Sequence, residues 1–195
     1  MNRFIDVKPS RCIGCRTCEI ACALSHAEPG IEPSITPADG DDVLACLGRA
    51  PRLEVIKAEN VCMPVTCHHC DDAPCAGACP TGAISFVENT VQVDQNRCIG
   101  CKSCMIVCPY GMIEVVAVPV SRPCAGVRVA MGSKGRARKC DLCIDRPAGP
   151  ACVAACPTSA LWIAGEDEVR ALMLRRREAA MAEAVANEAR PQALG

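Results

Sequence analysis

Nineteen cysteines in 195 residues leave few ways for this chain to fold, because thiols at that density are cross-linked or bound to metal. They fall into runs. RCIGCRTCEIAC over 11–22 and RCIGCKSCMIVC over 97–108 repeat one spacing, with Cys12, Cys15, Cys18 and Cys22 in the first and Cys98, Cys101, Cys104 and Cys108 in the other. Two looser copies hold Cys67, Cys70, Cys75 and Cys79, and Cys140, Cys143, Cys152 and Cys156, with the middle gap widened to four and to eight residues. In chain order these are runs one to four, the second quoted copy being run three. Three share a tail, CPTGAIS, CPYGMIE and CPTSALW, whereas Ala23 stands in the proline position of run one. Cys46, Cys62 and Cys124 are left over.

Disulfides require an oxidising compartment. The opening MNRFIDVKPSRC has no apolar h-region and no paired arginines, and the longest apolar stretch, 112–120, contains Glu114 and Pro119. A cytoplasmic chain with no direct membrane insertion is expected, which argues against a disulfide scaffold. Half of the residues are hydrophobic, but many of those are cysteine and only Phe4, Phe86, Tyr110 and Trp162 are aromatic. A core so poor in large side chains needs another cross-link. The net charge of −1 gives no electrostatic footprint for nucleic acid.

C-x2-C-x2-C-x3-C-P is the bacterial ferredoxin run, whose last cysteine ligates the other cluster of a pair. Each run therefore supplies three thiolates to its own cluster and lends one to a neighbour, and four runs predict four [4Fe–4S] clusters. Zinc is the rival reading. Cys140, Cys143, Cys152 and Cys156 alone would make a zinc knuckle, but structural zinc does not call for three closely spaced cysteines followed by proline.

Eighteen residues separate Cys79 from Cys98, and they read as strand (83–87), turn (Glu88–Asn89) and strand (90–93). Runs two and three thus form one module. The 44 residues between Cys22 and Cys67 carry prolines 29, 33, 37, 51 and 64 and read as an excursion. By elimination runs one and four make the other module, although spacing alone also allows run one to pair with run two. The first pairing gives four ligand sets: Cys12, Cys15, Cys18 and Cys156; Cys140, Cys143, Cys152 and Cys22; Cys98, Cys101, Cys104 and Cys79; Cys67, Cys70, Cys75 and Cys108.

The expected fold is α+β, with two pseudo-symmetric ferredoxin-like modules, the second nested in the first, and a C-terminal helix. The first module takes 1–27 and 136–163 and the second 62–118, with an excursion over 28–61, a loop over 119–135 and a helical extension over 164–195. From Glu166 to Arg190 good helix formers dominate, and acids at 166–168 suit a helix start. This helix is expected to pack by its first turns, or else to dock a partner or a second copy of the chain.

These runs, with MNRF…CIGCRTCEIAC…SH, CHHCDDAPC and RKCDLC, resemble the four-cluster iron–sulfur subunits of the dimethyl sulfoxide reductase family. The likeness covers about residues 1–163. It is nearest to the cytoplasmic electron-transfer subunits of formate dehydrogenase and formate hydrogenlyase and to the ferredoxin-like partner of carbon monoxide dehydrogenase. In that family runs one and four pair, as do two and three. The resemblance implies an electron relay serving formate dehydrogenase, carbon monoxide dehydrogenase or a hydrogenase. An accessory or maturation factor, or a redox sensor, is the alternative.

His68 and His69 are not expected to ligate, since no run lacks a cysteine, and His26 has no partner in sequence. Cys46, Cys62 and Cys124 read as buried small hydrophobes, with Cys62, close to run two, a spare ligand. Arg11, Arg97 and Lys139 each precede the first cysteine of a run and either bias a cluster by charge or face water. With no Gly-rich phosphate loop, no H-E-x-x-H and no nucleophile–base set, no catalytic residues are assigned and no enzyme activity is expected.

Overall fold

A computed structural model of the chain describes residues 1–26, 51–124 and 127–188. Within these residues eight strands form four antiparallel pairs: β1 (Phe4–Val7) with β8 (Leu161–Ala164), β2 (Glu54–Ala58) with β3 (Val61–Val65), β4 (Ile84–Val87) with β5 (Thr90–Val93), and β6 (Glu114–Cys124) with β7 (Val127–Arg138). Among the described residues five α-helices punctuate them: α1 (Thr17–Ser25), α2 (Pro74–Gly77), α3 (Ser103–Val107), α4 (Ala151–Ala154) and α5 (Glu166–Glu188). The fold is α+β.

The order has a physical logic. Each cysteine run is entered from a strand (β1, β3, β5, β7) and carries a short helix (α1 to α4), and runs two, three and four lead on into another strand (β4, β6, β8). β1, which leads into run one, pairs with β8, which leaves run four, in the register Phe4↔Ala164 to Val7↔Leu161. β5, leading into run three, pairs with β4, leaving run two. Glu88 and Asn89 join those two strands with φ of 47° and 58°. Positive φ at both central residues suits a two-residue hairpin, because its twist matches that of the strands.

Two apolar clusters form. One gathers Ile5, Leu53, Val55, Leu142 and Leu161 with Cys18, Cys22, Cys67, Cys140 and Cys152. The other gathers Ala73, Ala83, Ile84, Val91, Ile113 and Ala137 with Cys75, Cys98 and Cys104. Cysteine does the work that large aliphatics do in most cores.

The loop expected over 119–135 lies instead within the β6–β7 hairpin, whose ladder shifts register between Pro119 and Ser121. Pro119 and Pro123 fall inside β6, which is possible because in a two-stranded ribbon both strands are edges, and an edge tolerates a residue without N–H. Only the first turns of α5 touch the body: Val169 and Leu172 are half-buried, whereas Met173, Leu174, Met181 and Val185 are exposed. Its start is fixed by Gly165 N–H donating to Glu168 at 3.0 Å and by the N-terminal ammonium at 3.4 Å from Glu166. Among the described residues no helix is long and apolar enough to cross a membrane. Residues 27–50, with most of the expected excursion, and 189–195 lie outside the described residues.

Candidate metal centres

The matching sequences of runs one and three fold into matching turns. Gly14 and Arg16 have φ of 69° and 58°, and Gly100 and Lys102 have 71° and 69°. Left-handed residues at these two points curl the chain back, so the first two thiols and the first helical cysteine converge. The wider runs use other residues for the same reversal, His69 and Ala73 in run two and Leu142 and Cys143 in run four.

Three cavities are each lined by four cysteines. Cys12, Cys15, Cys18 and Cys156 line one, Cys79, Cys98, Cys101 and Cys104 a second, and Cys67, Cys70, Cys75 and Cys108 a third. Cys22 on α1 and Cys152 on α4 meet where the two helices pack and share one apolar cluster with Cys140, and the His26 ring lies 3.6 Å from Cys22 Sγ and 4.0 Å from Cys143 Sγ. All described cysteines are free thiols.

The donor set suits a thiolate-bound iron–sulfur cluster. Soft sulfur ligands in fours match such a group, and backbone N–H groups already point at the sulfurs. Ala83 donates to Cys79 at 3.3 Å, Ala160 to Cys156 at 3.2 Å, Leu142 to Cys140 at 3.4 Å, His69 to Cys67 at 3.5 Å and Arg52 to Cys22 at 3.3 Å. The shared CPT tail has a role here, since Thr81 and Thr158 place hydroxyls 3.6 Å from Cys79 and Cys156. Burial opposes ionisation of these two thiols, but the hydrogen bonds prevail and lower both pKa values. Deeper thiols behave oppositely. Burial pushes Cys18 and Cys75 to about 11 and Cys152 to about 12, so a bound cation is what would ionise them.

Around run four a charged network joins residues from distant parts of the chain. His26 Nε2 lies 3.0 Å from Asp141 Oδ1 and Nδ1 2.9 Å from the Cys22 carbonyl, while Arg52 also pairs with Asp141. Burial works against the imidazolium, yet Asp141 and the neighbouring thiols push its pKa up to about 12. His26, Asp141 and Cys143 bring ligand atoms within 4.8 Å of one another. The two partners are 115 residues apart in sequence; the only local signal was KCDLC, where opposite charges bracket Cys140.

The remaining singled-out residues resolve unequally. His68 stacks between Phe4 and Tyr110, with ring centroids at 5.7 and 4.0 Å. His69 is only 1% exposed, its Nδ1 accepts from Val91 N–H at 3.0 Å, and its Nε2 is buried without a partner. A buried orphan of this kind costs about 1–3 kcal/mol. Burial first, then the Lys139 charge, lowers the His69 pKa to about 3. Lys139 does not face water: it is 3% exposed and Nζ donates to Val91 O and, at 2.7 Å, to Cys140 O. Arg11 is exposed, and Arg97 donates to Thr81 O at 2.6 Å.

Two spare cysteines differ from expectation. Cys124 is exposed, because it sits far out on the β6–β7 ribbon beyond either core. Cys62 is half-buried and lies by run one, its Sγ 3.3 Å from where a Gly14 Cβ would stand. Cys46 lies outside the described residues.

Residues 58–166 match the family of 4Fe–4S dicluster domains, and residues 9–25 match a 4Fe–4S binding domain. The chain belongs to the 4Fe–4S dicluster family and is an iron–sulfur protein with a role in electron transfer. Among individual proteins it is similar to the electron transport protein HydN of Escherichia coli (strain K12), 47% identical over 91% of this chain and 96% of that protein. It is also similar to formate hydrogenlyase subunit 2 of the same strain, 36% identical over 91% of this chain and 89% of that protein.

Proposed function

We propose that the chain is a non-catalytic electron relay with four [4Fe–4S] clusters, held in two nested ferredoxin-like modules. The ligand sets are Cys12, Cys15, Cys18 with Cys156; Cys140, Cys143, Cys152 with Cys22; Cys98, Cys101, Cys104 with Cys79; and Cys67, Cys70, Cys75 with Cys108. One observation carries the reading: each of the three cysteine-lined cavities takes three thiols from one run and the fourth from another. That exchange is the signature of paired clusters in bacterial ferredoxins. The β1–β8 and β4–β5 ladders support the nesting, since each ties the strand entering one run to the strand leaving its partner.

Bound clusters would supply one-electron redox steps. The chain's own residues hold the thiolates, direct N–H dipoles at sulfur and limit access of water to the buried ligands. The partner is a low-potential redox enzyme of the kind served by iron–sulfur subunits of the dimethyl sulfoxide reductase family. Similarity to formate hydrogenlyase subunit 2 favours formate dehydrogenase or a hydrogenase over carbon monoxide dehydrogenase.

The test is anaerobic purification of the tagged protein from its own cells. The proposal expects roughly 16 iron per chain, brown absorption that bleaches on reduction, and a co-purifying dehydrogenase. Zinc in place of iron, without colour, would sink it. Loaded clusters with no redox enzyme bound would favour the accessory role.

A further inference from the structure

His69 is the side chain whose position the thiolate set does not account for. It lines the cavity of Cys67, Cys70, Cys75 and Cys108 together with Lys139. Because Val91 N–H donates to Nδ1 at 3.0 Å, Nδ1 is an acceptor, and the neutral ring carries its proton on Nε2. That Nε2–H is buried and finds no acceptor among the protein atoms. Buried donors are rarely left so, and an orphan in a native fold signals a group that completes it.

The constraint is unusually tight. Val91, itself buried on β5, donates to His69 and accepts from Lys139 Nζ through its carbonyl. One residue thus fixes both the imidazole tautomer and the ammonium beside it. His69 also has a positive φ of 47° and its own N–H 3.5 Å from Cys67 Sγ, so main chain and ring are both tied to this site.

We infer that His69 Nε2–H is a hydrogen-bond donor to a sulfur of the cluster held by Cys67, Cys70, Cys75 and Cys108, and that it sets that cluster's potential apart from the others. The inference rests on the ligand set proposed above. A donor at sulfur stabilises the more negative, reduced cluster and raises its potential, and Lys139 acts in the same direction. His69 is a positioning and tuning residue and does not ligate iron.

Two variants separate tuning from structure. His69→Asn keeps an acceptor near Nδ1 for Val91 N–H but lacks the distal donor, whereas His69→Gln can place a donor near Nε2. The anaerobic holoprotein and both variants are titrated potentiometrically with EPR detection. The wild type is also prepared with 15N-histidine for pulsed EPR of the reduced clusters. The expected result is one midpoint lowered in His69→Asn by about tenfold in the reduction equilibrium, ~59 mV for one electron, with His69→Gln nearer wild type and a histidine nitrogen coupled to a reduced cluster. Fully loaded His69→Asn with every midpoint unchanged overturns the inference. So does an equal shift in both variants. If a variant fails to load, the 15N coupling is sought in a His26→Gln, His68→Gln double variant, whose one remaining histidine is His69, and its absence there or in the wild type overturns the inference as well. A wild type without iron would instead defeat the proposed ligand set.

Discussion

RCIG opens both run one and run three, and the two copies fold alike yet meet different surroundings. Both glycines are left-handed, and Ile13 and Ile99 stand out to solvent at 66% and 63% exposure. Beyond the turn the likeness ends. Gly14 faces the Cys62 side chain, whereas Gly100 lies against the backbone of Gly135, where a Cβ would sit 2.7 Å from its Cα. Arg97 reaches across to Thr81 O while Arg11 is exposed. Identical sequence sets identical local geometry, and tertiary neighbours decide how much each copy tolerates.

The largest expected difference tests where each copy finds its fourth thiolate. On the proposed pairing, Cys156→Ala strips the cluster of run one and Cys79→Ala that of run three. Each loses about four iron per chain. Anaerobic alkylation with mass spectrometry would then label Cys12 and Cys15 in the first variant and Cys98 and Cys101 in the second. Labelling of Cys12 and Cys15 in Cys79→Ala would mean that run one pairs with run two.

A smaller but sharper contrast comes from the glycines. Forcing an L side chain into the left-handed region costs about 1–2 kcal/mol at either position. Gly14→Ala adds only a contact with Cys62 Sγ at 3.3 Å, which a side chain can relieve by turning. Gly100→Ala drives into Gly135 main chain, so overpacking adds about 1–3 kcal/mol more and disturbs the seat of the β6–β7 ribbon. Thermal denaturation and iron content should fall further for Gly100→Ala. Combining Cys62→Ala with Gly14→Ala should recover part of the smaller loss. Equal losses for the two glycine variants would mean that backbone strain alone matters.

These contrasts mirror what was legible in the sequence. The quartets were visible in the cysteine spacing, and Glu88–Asn89 between β-rich segments announced the β4–β5 hairpin. The β1–β8 pair was hidden because FIDV and LWIA are each too short to identify a partner about 157 residues away. Prolines 119 and 123 disguised the β6–β7 ribbon. At the sites, what escaped was the company the cysteines keep. His26 meets Asp141, His69 meets Val91 and Cys62 meets Gly14 only after the chain has folded back, and no local spacing encodes such contacts. Lys139 stood next to Cys140 in plain view, but its burial depends on β5 lying over it.

The arginines preceding the two copies give the smallest contrast. The Arg97 guanidinium donates to Thr81 O at 2.6 Å and lies 3.0 Å from the Cβ position of Gly82. It thereby braces the tail that presents Cys79, the fourth cysteine lining the run-three cavity. Arg97→Ala should cost about 0.5–1.5 kcal/mol, the usual net worth of one hydrogen bond. The bond is exposed, which places the loss toward the lower end. Arg11→Ala should stay within about 0.5 kcal/mol of the parent, as surface substitutions do. Denaturant melts of the two holoproteins would resolve a difference of that size if slopes match. If Arg11→Ala proved the costlier change, the bracing assigned to Arg97 would be wrong, and the two copies would owe their difference to the glycine contacts alone.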